Sequence, residues 1–293
     1  MKESLKENII SHLIYCIIQQ GKIKNFYLSS EKNISNIDEL RKFHNYIKKN
    51  ILQIAVHHLN KKSNISLLDI ACGRGGDIHK WINLNISKIN GIDNHVDSII
   101  EAKRRFFQIQ KSKQTKYKYF FHNLNILDPD ILLQLNTKDN NQIYDIVSCQ
   151  FALHYFCEDN SKLDHVLNIV SQKLSKNGLF IGTASDGDLI YSNLLENNII
   201  IPILNIINNS NNSYLYYLNT KKSDKTINYF EVQGISQEFF LFKQNLIKLA
   251  AKNNLILFDI KSFYDWYKQY NIKLSKYEQV ISFLNFSFIF IKK

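Results

Sequence analysis

Leu67-Leu68-Asp69-Ile70-Ala71-Cys72-Gly73-Arg74-Gly75-Gly76-Asp77 decides how this chain is read. An apolar run holding a single acid passes into a cluster of glycines, and a helical stretch follows. In a doubly wound sheet such a turn lies at the carboxyl ends of the strands, where ligands bind. Glycines there let the backbone approach a ligand closely. A dinucleotide turn reads G-x-G-x-x-G, which sets pyrophosphate on the helix N-terminus. Here Gly73-x-Gly75-Gly76 is followed by Asp77, a carboxylate that would repel phosphate. S-adenosylmethionine (SAM) carries no phosphate but has a sulfonium and an ammonium, which carboxylates suit. Asp93 ends the next strand candidate, in Asn90-Gly91-Ile92-Asp93, twenty residues after Gly73. An acid at that place can accept both ribose hydroxyls. The competing reading is an ordinary glycine turn with solvated acids. The loop, the strand-end acid and their order together favour SAM.

Outward from this loop the chain alternates strand and helix. Strands are expected at Ser66–Ala71, Ile86–Ile92, Lys116–Phe121, Tyr144–Cys149 and Leu179–Ala184. Leu163, Val166, Leu167, Val170 and Leu174 form one apolar stripe, predicting a helix that closes at Asn177-Gly178 with a left-handed cap. Such alternation predicts an α/β fold, a doubly wound, mostly parallel sheet with helices on both faces. Leu255–Ile260 and Phe283–Ile291 read as two further strands at the sheet edge. Asn136–Asn141 and Asn208–Ser213 read as loops, the second opening an insertion. At the N-terminus Ile9, Ile10, Leu13, Ile14, Ile17 and Ile18 fall at helical spacing, predicting an amphipathic helix rather than a signal peptide. Without repeats or a long linker, one domain is expected over 1–293, comprising a helical region (1–60), a SAM-binding core (61–184), and an insertion with the last strands (185–293).

Bulk composition narrows the partners. The formal charge of +11 favours a polyanionic partner over simple solubility by about two to one. Cys16, Cys72, Cys149 and Cys157 form no Cys-x-x-Cys pair and no zinc spacing, so no metal is expected and a reducing interior fits. The longest apolar run, Ile199 to Ile207, is interrupted by Pro202 and Asn205 and is far short of the ~20 residues of a membrane span. No membrane contact is expected.

Five stretches give a family resemblance. Leu68–Trp81, LDIACGRGGDIHKW, resembles the L-D-x-x-C-G-K-G-G-D-x-x-K-W loop of the mRNA cap guanine-N7 methyltransferases. Tyr144–Tyr155, YDIVSCQFALHY, resembles their F-D-x-x-S-C-Q-F-x-x-H-Y segment, and Leu40–Lys48, LRKFHNYIK, their L-R-N-F-N-N-W-x-K helix. Gln237–Leu249 resembles P-E-Y-L-V followed by a helix, and Leu274-Ser275-Lys276 also fits. The resemblance runs from about Ile34 to the C-terminus, and the Q-F-x-x-H-Y segment is its most specific part.

The resemblance implies a class I SAM-dependent fold with a seven-stranded, Rossmann-like sheet, N-terminal helices and an insertion before the last strands. It implies SAM contacts at Lys48, Ala71, Gly73, Asp77, Asp93, Asn123, Gln150 and Tyr155. It implies substrate contacts at His44, Asn45, Arg74, Lys80, Arg105, Phe151, His154 and Glu238. Arg74, Lys80 and Arg105 would face the cap and its phosphates. His154, Tyr155 and Glu238 are the residues expected closest to the reaction. Four positions depart from the pattern: Ala71 replaces a glycine, His44 an asparagine, Asn123 an adenine-contacting aspartate, and Asn285 a cap-contacting tyrosine. The implied partner is the capped 5′ end of mRNA, with other capping enzymes or RNA polymerase as further candidates. A monomer is expected, within the cell: in the nucleus of a eukaryote, or in the cytoplasm if the source is a virus or parasite.

Chemistry reads the same residues independently. Arg41, Asn45 and Lys48 share one helix face, with Phe43, Ile47 and Ile54 nearly opposite. Phe151 and Tyr155 can line a purine pocket, and His154 can hydrogen-bond a guanine oxygen. Glu238 can accept from guanine N1–H and N2–H₂, a pairing adenine does not offer. The bland readings are a core Phe151, an interior His154 and a Glu238 that sits at a helix N-terminus. The alternative functions are SAM-dependent methylation of another RNA, and a non-catalytic RNA-binding relative.

Overall fold

A computed structural model describes residues 38–61, 63–113, 117–196, 199–201, 204–218 and 235–293. The Ile-rich stretch at 9–18 lies outside the described residues. The described residues form two compact units, a sheet unit (within 48–184, 244–260 and 287–293) and an insertion unit (within 38–47, 185–243 and 261–286).

In chain order the sheet unit contains β1 (Ser66–Ile70), α2 (Ile78–Asn83), β2 (Lys88–Asp93), α3 (Val96–Lys113) and β3 (Lys118–Asn123). Then follow α4 (Ile131–Asp139), β4 (Tyr144–Gln150), a 3₁₀ turn (Leu153–Phe156), α5 (Asn160–Lys173) and β5 (Leu174–Ser185). It is preceded by α1 (Asp38–His58). The seven-stranded sheet is ordered β10-β11-β5-β4-β1-β2-β3, where β10 is Leu255–Ser262 and β11 is Asn285–Lys292. Pairings β3–β2, β2–β1, β1–β4 and β4–β5 are all parallel. This is the doubly wound sheet that the alternation predicted, with the two last strands at one edge as expected. All five residues of β1 are buried, as a central strand covered on both faces requires. The order reverses beside β1, so the glycine loop after it lies at the switch point.

Three local expectations are corrected. First, α5 ends at Lys173, not at Asn177-Gly178. Asn177 is left-handed (φ 61°), but it sits in a bulge where pairing jumps from Tyr144↔Leu174 to Ile146↔Leu179. The helix end is instead held by a buried ion pair, Lys173 Nζ to Asp139 Oδ2 at 2.8 Å. Second, Asn136–Asn141 is not simply a loop. Its first part is the last turn of α4, Asn136 Oδ1 accepts from the same Lys173, and Asn140 (φ 56°) closes the helix. Third, Asn208–Ser213 does not open the insertion, which begins earlier, at Ser185. It is the tip of a hairpin, where Asn209 Nδ2 donates to Ser213 Oγ at 3.1 Å and the Ser210 and Ser213 hydroxyls lie 2.7 Å apart.

Within the insertion unit, α6 (Gly187–Glu196) leads to an antiparallel sheet of β6 (Ile199–Ile201), β7 (Leu204–Ser210), β8 (Ser213–Leu218) and β9 (Ile235–Phe239). The same unit holds α8 (Phe263–Tyr267) and α9 (Lys276–Phe283), the latter started by a capping box of Ser275 and Glu278. The sheet unit also holds α7 (Lys243–Lys252), apart from its first residue. Phe43 packs among Phe263, Tyr267 and Tyr270 at ring separations of 5.0–6.1 Å. Among the described residues no helix is long and apolar enough to cross a membrane.

Candidate active site

The loop after β1 is built from unusual backbone. Ala71, Gly73 and Gly75 all have positive φ, at 54°, 51° and 69°. At Gly75 the positive φ strains any side chain, and a Cβ there would fall 2.7 Å from Ile78 Cδ1, so the end of the Ile78 side chain would have to shift. Ala71 holds a left-handed angle in which a methyl group is mildly strained, which explains why a glycine stands there in the family pattern. At the end of β4, Phe151 is also left-handed (φ 55°), which is exceptional for an aromatic residue. Its N–H is held by Thr183 O at 2.8 Å. Strain of this kind, of order 1–3 kcal/mol, collects at ligand sites. Both strained turns follow neighbouring strands and stand at the same end of the sheet.

Asp93 anchors this end. Its Oδ2 accepts from Gly73 N–H at 2.9 Å and its Oδ1 from His95 N–H at 2.8 Å. The carboxylate is thereby fixed in orientation while each oxygen keeps a lone pair for a further donor. Asn123 pairs with Asp93 across the strands and donates its amide to Asp93 O at 3.0 Å. It therefore stands beside Asp93 although it replaces an aspartate. Gln150 is held through both amide atoms, donating to Ser148 Oγ and accepting from Thr183 Oγ1, each at 3.1 Å.

Asp77 has partners that spacing did not suggest. Lys48 Nζ lies 2.8 Å and Lys80 Nζ 2.6 Å from Asp77 Oδ1. All three side chains are largely buried. Burial alone would raise the Asp77 pKa, but the two ammonium groups outweigh it and hold the carboxyl far below the usual range. Lys80, expected to face cap phosphate, is turned to Asp77, and burial lowers its pKa against the pull of that carboxylate. Arg105 bonds Glu101 Oε1 at 2.7 Å. Arg74 is half-buried and forms no ion pair among the described residues.

One residue was missed. Asp69, inside the otherwise apolar β1, is 3% exposed, and its Oδ1 has no hydrogen-bond partner among the described residues. Burial, then repulsion from Asp77, raises its pKa to about 8; the Ser148 hydroxyl and Lys48 oppose this, and Asp93 adds to it. An acid in the middle of an apolar strand was the available signal. A buried carboxyl with one oxygen unpartnered among the described residues, next to a glycine loop, fits a cationic ligand, and SAM has two cationic centres. With Asp93 oriented for hydroxyls, the residues present fit this cofactor.

His154 is buried, 2% exposed, with its ring centroid 4.4 Å from that of half-buried Tyr155. Cys149 and Cys157 are pushed up in pKa by burial, which leaves them as thiols.

In the insertion unit, Glu238 is not at a helix start. It lies in β9, five residues before α7, directly across from Tyr214. It is 4% exposed, and its Oε2 accepts from the Tyr214 hydroxyl at 2.8 Å. His44, expected at the substrate, is packed inside this unit: it is 2% exposed, its Nε2 is 3.0 Å from Ser282 Oγ, and its ring meets Phe263 edge-on. Asn45 is half-buried on the same helix. Asn285 donates to Ile281 O (2.8 Å) and Ser282 O (3.1 Å), closing α9, so its replacement of tyrosine has a structural use.

Together the sheet and its loop define a class I SAM-dependent methyltransferase fold. Similar solved structures include a SAM-dependent methyltransferase from Clostridium acetobutylicum ATCC 824, at TM-score 0.56 and 14% identity over 98% of both chains. Another, from Mesorhizobium loti, has a TM-score of 0.52 at 13% identity, covering 86% of this chain and 100% of that one. A family model for the mRNA (guanine-N(7))-methyltransferase domain matches residues 19–285, and the chain belongs to that family. The mRNA cap guanine-N(7) methyltransferase 1 of Arabidopsis thaliana is 32% identical over 167 residues, which is 57% of this chain and 44% of that protein. The mRNA cap guanine-N(7) methyltransferase of Schizosaccharomyces pombe is 31% identical over 168 residues, 56% and 44% respectively. The matched segment thus spans less than half the length of these curated relatives.

Replacing Asp93 by Ala is expected to weaken SAM binding by about 2–3 kcal/mol, the loss of hydrogen bonds to a charged group. Calorimetric titration of the variant with SAM reads this. An affinity equal to that of the unaltered protein would remove Asp93 from the site.

Proposed function

We propose that this protein transfers the methyl group of SAM to N7 of the guanine cap at the 5′ end of mRNA. The observation that carries the reading is an oriented Asp93 together with a buried Asp69 whose Oδ1 has no hydrogen-bond partner among the described residues, around the strained glycine loop, in a chain of this family. SAM, when bound, supplies a methyl group activated by positive sulfur. Guanine N7 has a free lone pair and no proton at neutral pH, so the chain needs no general base.

The work left to the protein is positioning, which can supply about 7–11 kcal/mol of rate acceleration. Asp93 would hold the ribose hydroxyls and Asn123 the neighbouring adenine edge. Gln150 and Tyr155, at the end of β4, would line the cofactor, with Ala71, Gly73 and Lys48 on the loop side. Phe151 and His154 would meet the base. Arg74 would take the cap phosphates, since Lys80 is already bound to Asp77. Glu238 would accept from the guanine N1–H and N2–H₂ edge, and its charge favours the positive charge that appears on the base.

The deciding experiment supplies labelled SAM with GpppA or GTP and maps the product with nucleases. Methyl at guanine N7 supports the reading. Label at another position, or on an uncapped RNA only, selects one of the other RNA methyltransferase activities. No transfer together with no SAM binding selects the non-catalytic relative.

Asp69 adds a pH signature. Its raised pKa means the folded protein holds this proton more tightly than the unfolded chain. Stability from this group therefore falls as pH rises from the ordinary carboxyl range towards about 8. A cationic ligand would favour the ionised form and expel the proton. SAM affinity is expected to rise with pH up to about 8 and then level. Calorimetry near neutral pH, in buffers of differing ionisation enthalpy, should show proton release that Asp69→Asn abolishes. Binding with no net proton release would sink this role for Asp69.

A further inference from the structure

The α3 helix and the edge strand β3 carry a surface that the proposed chemistry does not use. A groove of about 610 Å³ runs along them, lined by Phe106, Phe107, Phe120, Tyr117 and Tyr119 together with Lys103, Arg104 and Lys118. Its lining contains no carboxylate. The floor is a stack: Tyr117 on Tyr119 at 5.5 Å and Tyr119 on Phe106 at 4.7 Å, each within 28° of parallel. The rim is different. Phe107 is 55% and Phe120 48% exposed. Lys111 Nζ hangs 4.6 Å over the Phe107 ring, and Lys103 and Lys118 stand exposed beside the two rings. Arg104 is tied to Glu101 by two bonds of 2.6 and 2.7 Å. The unshared charge therefore comes from the lysines.

Flat exposed rings at the spacing of one helix and one strand, interleaved with cations and free of acids, have a defined complement. Single-stranded nucleic acid offers unstacked bases for the rings and phosphates for the lysines. A protein partner of the usual kind would meet both signs of charge, and a membrane would require the apolar residues to be continuous. The register of β3 explains how the surface arises. Tyr119 and Phe121 point into the core while Lys118 and Phe120 point out, so an alternating strand at a sheet edge displays one cation and one ring side by side.

We infer that this groove binds the body of the RNA, a single-stranded segment downstream of the cap, by base stacking on Phe107 and Phe120 and phosphate contacts from Lys103 and Lys118. This rests on the reading of the substrate as capped RNA, but its test does not depend on methyl transfer. Fluorescence anisotropy with an uncapped 12-nucleotide single-stranded RNA measures the groove directly. Phe107→Ala and Phe120→Ala are each expected to weaken binding by about 5- to 150-fold, the range for loss of one stacked base, and Phe107→Tyr to restore it. The double change of Lys103 and Lys118 to Ala should reduce the salt slope by about 1.4, two single-strand phosphate contacts. In parallel, kcat/KM for the minimal substrate GpppA should stay unchanged in every variant, while KM for a capped 20-nucleotide RNA rises. If the unaltered protein fails to methylate GpppA, the proposed function fails and the anisotropy result still judges the groove. Unchanged RNA affinity in the Phe variants overturns the inference. So does a fall in melting temperature or a change in oligomeric mass with RNA affinity unaltered, since either marks the rings as covered by protein.

Discussion

Asp77→Asn is expected to destabilise the protein by about 3–5 kcal/mol, the cost of removing one partner from a buried ion pair. The carboxylate compensates two ammonium groups, Lys48 and Lys80, whose side chains are 15% and 13% exposed. The amide keeps the shape and loses the charge, leaving two buried cations facing each other. The sign of the pH dependence follows from the depressed pKa of Asp77. Its stabilisation is fully present above the ordinary carboxyl range and is lost as pH falls from there towards the native value. Thermal melts of the unaltered protein and Asp77→Asn at neutral pH should therefore differ widely and converge in acid. A double change that also replaces Lys80 by Met should recover part of the loss, because one stranded charge is gone. Melting temperatures of Asp77→Asn equal to those of the unaltered protein would show that water, not the carboxylate, solvates these lysines.

GpppA is expected to accept a methyl group and ApppA to be refused by roughly 10⁴-fold or more in kcat/KM. That ratio corresponds to about 5.5 kcal/mol. It is large because a site built for polar edges leaves its own buried groups unpaired when the wrong base enters. Glu238→Gln should lower kcat/KM for the cap by about 1.5–3 kcal/mol, the range for a hydrogen bond to a charged group, with SAM affinity nearly unchanged. The competing role for Glu238 is its bond with the Tyr214 hydroxyl across β8 and β9. Tyr214→Phe separates the two, since it removes that bond and leaves the carboxylate. If Glu238 is only structural, Tyr214→Phe and Glu238→Gln will lower the melting temperature alike and spare methyl transfer. Equal methylation of ApppA and GpppA would end the guanine-reading role altogether.

Much of this protein was legible in its sequence, because the signals are local. The run Leu67–Ile70, the glycines that follow and Asp93 at the end of the next strand, twenty residues after Gly73, are read through periodicity, backbone freedom and chain direction. They led to the parallel sheet, its switch point and the cofactor end without any knowledge of partners. Tertiary structure decided what those residues touch. Lys48 reaches Asp77 across 29 positions and His44 meets Ser282 across 238, distances at which spacing carries no signal. Packing turned Lys80 inward, put Glu238 in a strand opposite Tyr214, and gave Asn285 the task of closing a helix. It also buried Asp69 beneath the loop, where lost hydration rather than residue type makes the carboxyl a weak acid. Sequence determines which groups are offered along each strand and helix; desolvation and long-range contact, which exist only in the folded chain, determine which of those groups are spent on one another and which remain for a ligand.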